Sequence, residues 1–153
     1  MKTALFPGSF DPITIAHVDI LQRALPLFDK IVVGIGLNSS KQGFLSAAQR
    51  EEIVKAVFAG YDRVEVRLYE GLTVDFCQKI NARYVVRGIR SVADFEYEKA
   101  IAQVNQTMMP ELETIIILSK PEYSAVSSTI VREILRNKGD VSKFLPPAAI
   151  ALL

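Results

Sequence analysis

An α/β fold is predicted for this chain of 153 residues, with a doubly wound parallel sheet of five strands and helices on both faces. Short apolar β-rich runs alternate with helical patterns along the chain, as βαβ units require. Two runs, Ile31–Leu37 and Thr114–Leu118, are almost continuously apolar, as strands buried on both faces should be. No linker, repeat or low-complexity stretch interrupts the alternation, so residues 1–153 are expected to form one Rossmann-like domain.

The individual elements follow from the two kinds of pattern. Strands are predicted where apolar runs rich in β-formers occur, at Thr3–Phe6, Ile31–Leu37, Val64–Tyr69, Tyr84–Val86 and Thr114–Leu118. Helices are predicted where helical patterns follow, at Ile15–Phe28, Ser46–Phe58, Thr73–Ile80, Val92–Met108, Ser128–Asn137 and Pro147–Leu152. Right-handed crossovers between parallel strands then distribute the helices over both faces.

Polar residues follow every predicted strand, at the edge of a parallel sheet where ligands bind. These segments carry hydroxyl, amide or basic side chains, at Ser9–His17, Asn38–Gly43, Glu70–Thr73, Arg87–Arg90 and Ser119–Ser124. Solvation of a loop explains any one of them. Their recurrence at one sheet edge favours a phosphate cradle.

The turn after the first strand is the most informative. It runs from Pro7 to His17, the only histidine of the chain, which lies at the start of the next predicted helix. Backbone N–H groups at a helix N-terminus are unpaired, and the helix dipole adds about half a positive charge there. A histidine in this first turn can therefore donate to a phosphoryl oxygen. The alternative is a surface histidine that happens to follow a turn.

Charge and cysteine content narrow the class of protein. The chain has 18 basic and 17 acidic residues, a net charge of +1, which favours neither a nucleic-acid binder nor a membrane binder. The single cysteine, Cys77, excludes an internal disulfide and fits a reducing compartment. Its helical surroundings favour buried packing over catalysis. With no signal peptide and no apolar run long enough to span a bilayer, a cytoplasmic location is expected.

Several common signatures are missing. Gly34-Ile35-Gly36 falls within a strand, and Ser39 stands where a dinucleotide fingerprint needs its third glycine. A flavin or NAD redox domain is therefore the least favoured function. The chain has no P-loop and no Ser-His-Asp pattern. One histidine without paired cysteines cannot build most metal sites, so no protein-held metal is predicted.

The segment Pro7–His17 resembles the signature of the nucleotidylyltransferase superfamily, and specifically that of its phosphopantetheine adenylyltransferase family. Many superfamily members read H-x-G-H here, whereas this family reads T-x-G-H, preceded by P-G-[ST]-F-D-P. Ser9, Thr14 and His17 match that pattern. Ala16 replaces the usual glycine and puts a methyl group where backbone approaches phosphate.

A second motif carries the same resemblance. Arg87-Gly88-Ile89-Arg90, followed by Asp94 to Glu98, is similar to R-G-[LIV]-R with D-[FY]-E-x-E after three residues. Glycine allows a sharp exit from the strand, and two guanidinium groups can fork onto phosphate oxygens. The alternative is a pair of surface salt bridges, for instance between Arg90 and Asp94.

A third motif, Val126 to Arg132, resembles I-S-S-[ST]-x-[IV]-R, which holds ATP phosphates at a helix N-terminus in the superfamily. Helix capping explains one of its three consecutive hydroxyl residues but not all of them. Shorter matches at Met109–Glu113, Gly139–Val141 and Phe144–Pro146 extend the resemblance over almost the whole chain.

The resemblance implies transfer of the adenylyl group of ATP to 4′-phosphopantetheine, giving dephospho-CoA and pyrophosphate, with Mg²⁺ held largely by the nucleotide. It implies catalytic roles for Ser9, His17 and Lys41, and acceptor contacts for Ser9, Lys41, Thr73 and Arg87. It implies ATP contacts for Ser9, Phe10, His17, Gly88, Ile89, Arg90, Glu98, Tyr123, Ser124, Ala125, Val126, Ser127, Ser128 and Thr129. A homohexamer with feedback by coenzyme A is also implied.

Two other functions remain to be weighed. Relatives that use nicotinamide mononucleotide or glycerol 3-phosphate as acceptor usually keep H-x-G-H, and Thr14 argues against them. A catalytically silent nucleotide-binding module should have lost several phosphate ligands. Those ligands are all present, which disfavours that function; they are Ser9, His17, Lys41, Arg87 and Arg90.

Overall fold

The computed structural model describes residues 1–38, 40 and 42–153. The five strands are β1 (Thr3–Gly8), β2 (Lys30–Leu37), β3 (Val64–Glu70), β4 (Tyr84–Ile89) and β5 (Glu113–Leu118). The six α-helices are α1 (Ile15–Ala24), α2 (Ala47–Val57), α3 (Thr73–Lys79), α4 (Val92–Met108), α5 (Ser128–Arg136) and α6 (Pro147–Ala151). Single 3-10 turns lie at Leu25–Leu27 and Pro121–Tyr123.

The strands form one parallel sheet in the order β3-β2-β1-β4-β5. The chain moves outward from β1 to β3 on one side and then returns to β4 on the other side of β1. The switch point of this doubly wound sheet is therefore the gap between the carboxyl ends of β1 and β4, where a ligand site is expected. The predicted fold class and all five predicted strands are confirmed.

Two element ends differ from the sequence prediction by three residues or more. Strand β4 continues three residues beyond Val86, because Arg87, Gly88 and Ile89 pair with β5. Glycine is depleted in strands, so the sequence prediction ended this strand at Val86, whereas its backbone pairing with β5 continues to Ile89. Helix α1 ends at Ala24 rather than Phe28, since Pro26 cannot continue an α-helix and the chain tightens into a 3-10 turn.

Alternate residues of the strands fill two cores, one on each face of the sheet. On one face, Ala4 and Phe6 of β1 pack with α1, α2 and α5. On the other face, Leu5 packs with residues of α3, among them Cys77, which is fully buried. Burial raises the pKa of the Cys77 thiol to about 11, which confirms a packing role rather than a nucleophilic one.

Hydroxyl residues start four of the helices. The side chains of Thr14, Ser46, Ser91 and Ser127 each accept a backbone N–H from three residues further on, at the first turns of α1, α2, α4 and α5. Each cap satisfies one of the N–H groups that a helix start leaves unpaired. Across the described part of the chain, no helix is both long and apolar enough to cross a membrane.

Replacing Gly34 with alanine should destabilise the fold. A Cβ at Gly34 in the middle of β2 would lie 2.7 Å from Leu5 Cδ1 and 3.0 Å from Tyr69 Cε1. Overpacking of this kind costs about 1–3 kcal/mol. We expect Gly34→Ala to lower the midpoint of urea unfolding. Gly60→Ala is the control, since a Cβ there meets nothing within 4 Å. Equal midpoints for both variants and the wild type would contradict this packing.

Candidate active site

A cavity of about 370 Å³ opens at the switch point of the sheet. Its walls come from the end of β1 and the turn after it, the start of α1, the end of β4, the first turns of α4, and the segment that leads into α5. We call it the first cavity. It brings together ten of the predicted site residues, namely Ser9, Phe10, His17, Arg87, Gly88, Arg90, Glu98, Val126, Ser127 and Ser128.

The hydrogen bonds of His17 determine which ring nitrogen carries the proton. The backbone N–H of Thr14 donates to Nδ1 of His17 at 2.9 Å, while Oγ1 of Thr14 accepts the backbone N–H of His17 at 3.5 Å. This reciprocal capping box holds the ring at the start of α1. Because Nδ1 is an acceptor, the proton of the neutral ring is on Nε2, so His17 can donate there.

The ring of His17 is held by packing as well. It meets the ring of Phe10 edge-on, with centroids 5.1 Å apart, and that of Phe6 at 6.5 Å. Phe10 is itself buried. Its φ of 47° lies in the left-handed region that residues other than glycine rarely adopt. A strained backbone of this kind persists where packing over-determines it and is common at functional sites.

His17 is neutral at physiological pH. Burial, and to a smaller extent the positive charges of Arg87 and Arg90, lower the pKa of His17 from 6.5 to about 4. The imidazole is therefore a hydrogen-bond donor of fixed orientation and adds no charge of its own. The positive charges that line the first cavity are those of the two arginines, each paired with a carboxylate.

Arg87 is held by a fork of hydrogen bonds to Glu98. Its Nε and Nη2 donate to the two carboxylate oxygens of Glu98 at 2.9 and 2.7 Å, and its Nη1 donates to the carbonyl of Pro7 at 2.6 Å. Glu98 is buried, whereas Arg87 keeps about a third of its side chain exposed. This bidentate geometry orients the guanidinium and neutralises a carboxylate that would otherwise repel phosphate.

Arg90 is tied to Asp94, as the salt-bridge alternative in the sequence prediction supposed. The backbone N–H and Nε of Arg90 donate to Oδ2 of Asp94 at 2.9 and 3.1 Å. These bonds to Arg90 lower the pKa of the Asp94 carboxyl. The ion pair does not remove Arg90 from the site, because it still lines the first cavity. Asp94 therefore orients the arginine.

The start of α5 is docked on the turn after β1. Ser128 Oγ donates to the carbonyl of Pro12 at 2.8 Å, and Arg132 Nη1 donates to that of Asp11 at 2.9 Å. Ser127 Oγ caps α5 through the backbone N–H of Ile130. This docking brings the N-terminus of α5 beside that of α1, so two helix starts face one cavity.

A second cavity of about 190 Å³ lies beside the first, between the sheet edge and α4. Thr73 lines it, together with Tyr69, Ile101 and Asn105. The two cavities share the lining residues Pro7, Gly8, Arg87, Tyr97 and Glu98. The Arg87–Glu98 pair therefore stands at the boundary between two adjoining compartments.

Not all of the predicted site residues are found in the walls of the two cavities. For Lys41 no position is given, because it lies outside the described residues. Within the described part of the chain, five other predicted ATP contacts do not line either cavity, namely Ile89, Tyr123, Ser124, Ala125 and Thr129. Ser124 Oγ instead donates to the carbonyl of Pro121 in the 3-10 turn. The roles assigned to these residues stay predictions.

Two further residues contribute to the site, although neither was predicted from the sequence. Arg50 in α2 is buried and donates to the carbonyl of Ser9 at 2.9 Å and to that of Gly36 at 3.4 Å. It falls on the buried face with Ile53 and Val54, a helical spacing that could have marked it. Asn105 shares the face of Glu98 one heptad further along α4 and could have been found in the same way.

The arrangement is suited to binding and aligning anions. Two guanidinium groups, two helix N-termini and a neutral histidine donor converge on the first cavity. Among residues 1–38, 40 and 42–153, no cluster of three histidine, cysteine, aspartate or glutamate side chains could hold a metal ion. The donors that converge on the first cavity can position an anion and stabilise negative charge.

Comparison with known proteins identifies the class. Residues 5–134 match the Cytidylyltransferase-like family. The structure of a candidate nicotinate-nucleotide adenylyltransferase from Vibrio parahaemolyticus shares the fold with a TM-score of 0.73 at 21% identity, covering 99% of each chain. The fold and the anion site define a nucleotidyltransferase.

The sequence relatives identify the family within that class. The chain is 46% identical over 148 residues to a phosphopantetheine adenylyltransferase of Flavobacterium psychrophilum, covering 97% of both. It is 44% identical over 146 residues to one of Bacteroides thetaiotaomicron, covering 95% of this chain and 96% of that one. The chain belongs to the phosphopantetheine adenylyltransferase family.

The protonation state of His17 can be measured directly because the chain has only one histidine. We expect its imidazole to titrate near pH 4 in the folded protein by NMR, and Arg90→Gln to raise that pKa. Between pH 6.5 and 4 the unfolded chain binds more protons than the folded one, so this residue makes stability fall as the pH drops through that range. A folded-state pKa near 6.5 would contradict the half-buried, neutral imidazole.

Proposed function

We propose that the protein transfers the adenylyl group of ATP to 4′-phosphopantetheine, with the two substrates bound in the two cavities. The reaction gives dephospho-CoA and pyrophosphate in coenzyme A biosynthesis. The observation that carries this proposal is the pair of adjoining compartments with Arg87 at their boundary. The family of the chain names the reaction class. One nucleotidyltransferase domain, residues 1–153, performs it.

ATP occupies the first cavity in this proposal. Its phosphates face the starts of α1 and α5, where Ser127, Ser128 and the backbone N–H groups of the helices supply donors. The other predicted nucleotide contacts lie toward the ends of β4 and β5. The acceptor occupies the second cavity beside Thr73, and its phosphate reaches the boundary at Arg87.

The acceptor phosphate is the nucleophile. A phosphomonoester has a second pKa of about 6, so it is mostly dianionic near neutral pH and needs no general base. One of its oxygens forms a bond to the α-phosphorus of ATP, and the bond from that phosphorus to the bridging oxygen breaks. Pyrophosphate leaves with that electron pair. Alignment of the two substrates and stabilisation of the transferring phosphoryl oxygens supply the catalysis.

Three residues stabilise the transition state in this mechanism. His17 donates its Nε2 proton in a hydrogen bond to a phosphoryl oxygen, from a ring orientation that Thr14 and Phe10 determine. Ser9 offers its hydroxyl and backbone N–H at the turn after β1. Lys41 contributes a positive charge to the transferring phosphate. Being neutral, His17 adds a directed donor to the charge of the lysine.

Mg²⁺ enters with the nucleotide as Mg²⁺-ATP. The donor set of the first cavity is cationic and hydroxylic, and its carboxylates, Glu98 and Asp94, are already paired with arginines. These residues therefore fit a metal held by phosphate oxygens rather than by the protein. The ion neutralises charge on the triphosphate when it is bound.

Assembly into a homohexamer, feedback by coenzyme A and a cytoplasmic location belong to this proposal as well. Support for assembly comes from α4, where Val92, Val104 and Met108 leave 78%, 58% and 46% of their surface exposed. A coenzyme A molecule carries the same pantetheine arm as the acceptor. It would therefore compete for the second cavity.

The acceptor is tested by pyrophosphate release from Mg²⁺-ATP. We expect release with 4′-phosphopantetheine and none with nicotinamide mononucleotide, glycerol 3-phosphate or buffer alone. Release only with another acceptor would retain the chemistry and contradict the proposed substrate. No release with any acceptor, despite binding of ATP, would indicate a nucleotide-binding module.

His17→Ala tests the transition-state donor. Loss of one directed donor to a developing charge lowers kcat by about 10²–10³-fold, while the affinity for ATP measured by calorimetry stays within a few-fold of the wild type. Gln22→Ala is the control, since Gln22 is an exposed residue of the same helix that bonds Tyr61. Wild-type turnover in His17→Ala would overturn the assignment.

A further inference from the structure

The two glycines of β2 that resemble part of a dinucleotide fingerprint make room for a tyrosine. Tyr69 of the neighbouring strand pairs with Gly36, and its ring lies along β2. A Cβ built at Gly34 would meet Cε1 of Tyr69 at 3.0 Å, and one at Gly36 would lie 3.6 Å from its hydroxyl oxygen. A larger residue at Gly34 would therefore displace the ring.

The tyrosine ring is held further by a stack. Phe76 of α3 lies parallel to Tyr69, with ring centroids 4.5 Å apart and an interplanar angle of 3°. Arg67 lies over the ring of Phe76, with its guanidinium carbon 5.8 Å from the centroid of that ring. The bare backbone of β2 and this stack fix the direction of the Tyr69 hydroxyl.

That hydroxyl lies in the wall of the second cavity. Tyr69 and Thr73 both line it, and their oxygens are 3.2 Å apart, within one hydrogen bond. Two hydroxyls together offer two donors and four lone pairs. Their mutual bond uses one donor and one lone pair, and within residues 1–38, 40 and 42–153 neither oxygen has another partner. The pair thus presents a donor and acceptors to an occupant.

The rest of the wall indicates the chemistry of that occupant. Val85, Ile101 and Ala102 give an aliphatic surface, and Asn105 adds an amide. A narrow ligand that alternates methylene groups with amide groups fits such a lining. The pantetheine arm of the proposed acceptor has this composition, so the inference rests on the proposed function.

We propose that Tyr69 is a specificity-determining residue, whose hydroxyl acts with that of Thr73 to hydrogen-bond an amide group of the acceptor arm in the second cavity. Gly34 and Gly36 serve this contact by letting the ring lie against β2. The contact selects acceptors that carry an amide-containing arm and leaves ATP binding unaffected.

Tyr69→Phe removes the hydroxyl and keeps the ring. Loss of one neutral hydrogen bond raises KM for 4′-phosphopantetheine by about 3- to 10-fold, with KM for ATP and kcat within twofold of the wild type. Tyr61→Phe is the matched control, because the Tyr61 hydroxyl accepts from Gln22 at 2.6 Å and lines neither cavity.

Thr73→Val completes a double-mutant cycle. If the two hydroxyls act as one binding unit, Thr73→Val raises KM for the acceptor, and the double variant loses less than the product of the two single losses. Unfolding midpoints measured for the same variants separate binding from stability. A purely structural bond between Tyr69 and Thr73 would lower the midpoints without a selective change in KM for the acceptor.

The outcomes distinguish this inference from the function on which it rests. A wild-type protein that releases no pyrophosphate with 4′-phosphopantetheine contradicts the proposed function. A wild-type protein that uses this acceptor, with an unchanged KM in Tyr69→Phe, overturns only the role of Tyr69. An equal rise in KM for ATP and for the acceptor overturns it as well, because the contact is specific to the second cavity.

Discussion

The ion pair between Arg87 and Glu98 is the interaction on which the site depends. It joins β4 to α4, and through the carbonyl of Pro7 it joins both to β1. Loss of Arg87 would leave the buried carboxylate of Glu98 uncompensated, at a cost of up to about 3–5 kcal/mol. The same bonds fix a guanidinium group at the boundary of two cavities. One pair of residues thus anchors the helix, lines both cavities and positions a cation between them.

Burial and, to a smaller extent, the two arginines of the first cavity determine the protonation state of His17. Arg87 and Arg90 add to the effect of burial and hold the pKa of the imidazole near 4. The Nδ1 of this neutral ring is occupied by the backbone N–H of Thr14. In the proposed mechanism the ring is therefore a neutral donor, and the site needs no base of its own because the acceptor phosphate is already ionised. Binding and charge stabilisation account for catalysis in that mechanism.

Local sequence patterns were sufficient to predict the strands, but they did not predict the contacts between the elements. The alternation of runs predicted all five strands, and the rule on strand ends brought Ser9, His17 and Arg90 to one cavity. The pairing of Arg87 with Glu98 was missed, because only the packing of α4 on the sheet brings those residues together. The space that Gly34 leaves for Tyr69 depends on cross-strand register in the same way. Arg50 supports Ser9 from a helix that the motif analysis did not connect with the site.

The stereochemistry of transfer tests the central claim most directly. Two substrates in adjoining cavities, with no covalent adenylyl-enzyme, require a single in-line displacement at the α-phosphorus. Transfer from ATP made chiral at that phosphorus should therefore give dephospho-CoA with inverted configuration. Retention would mean two displacements through a residue of the protein, and it would contradict both the ternary arrangement and the role of His17 as a donor.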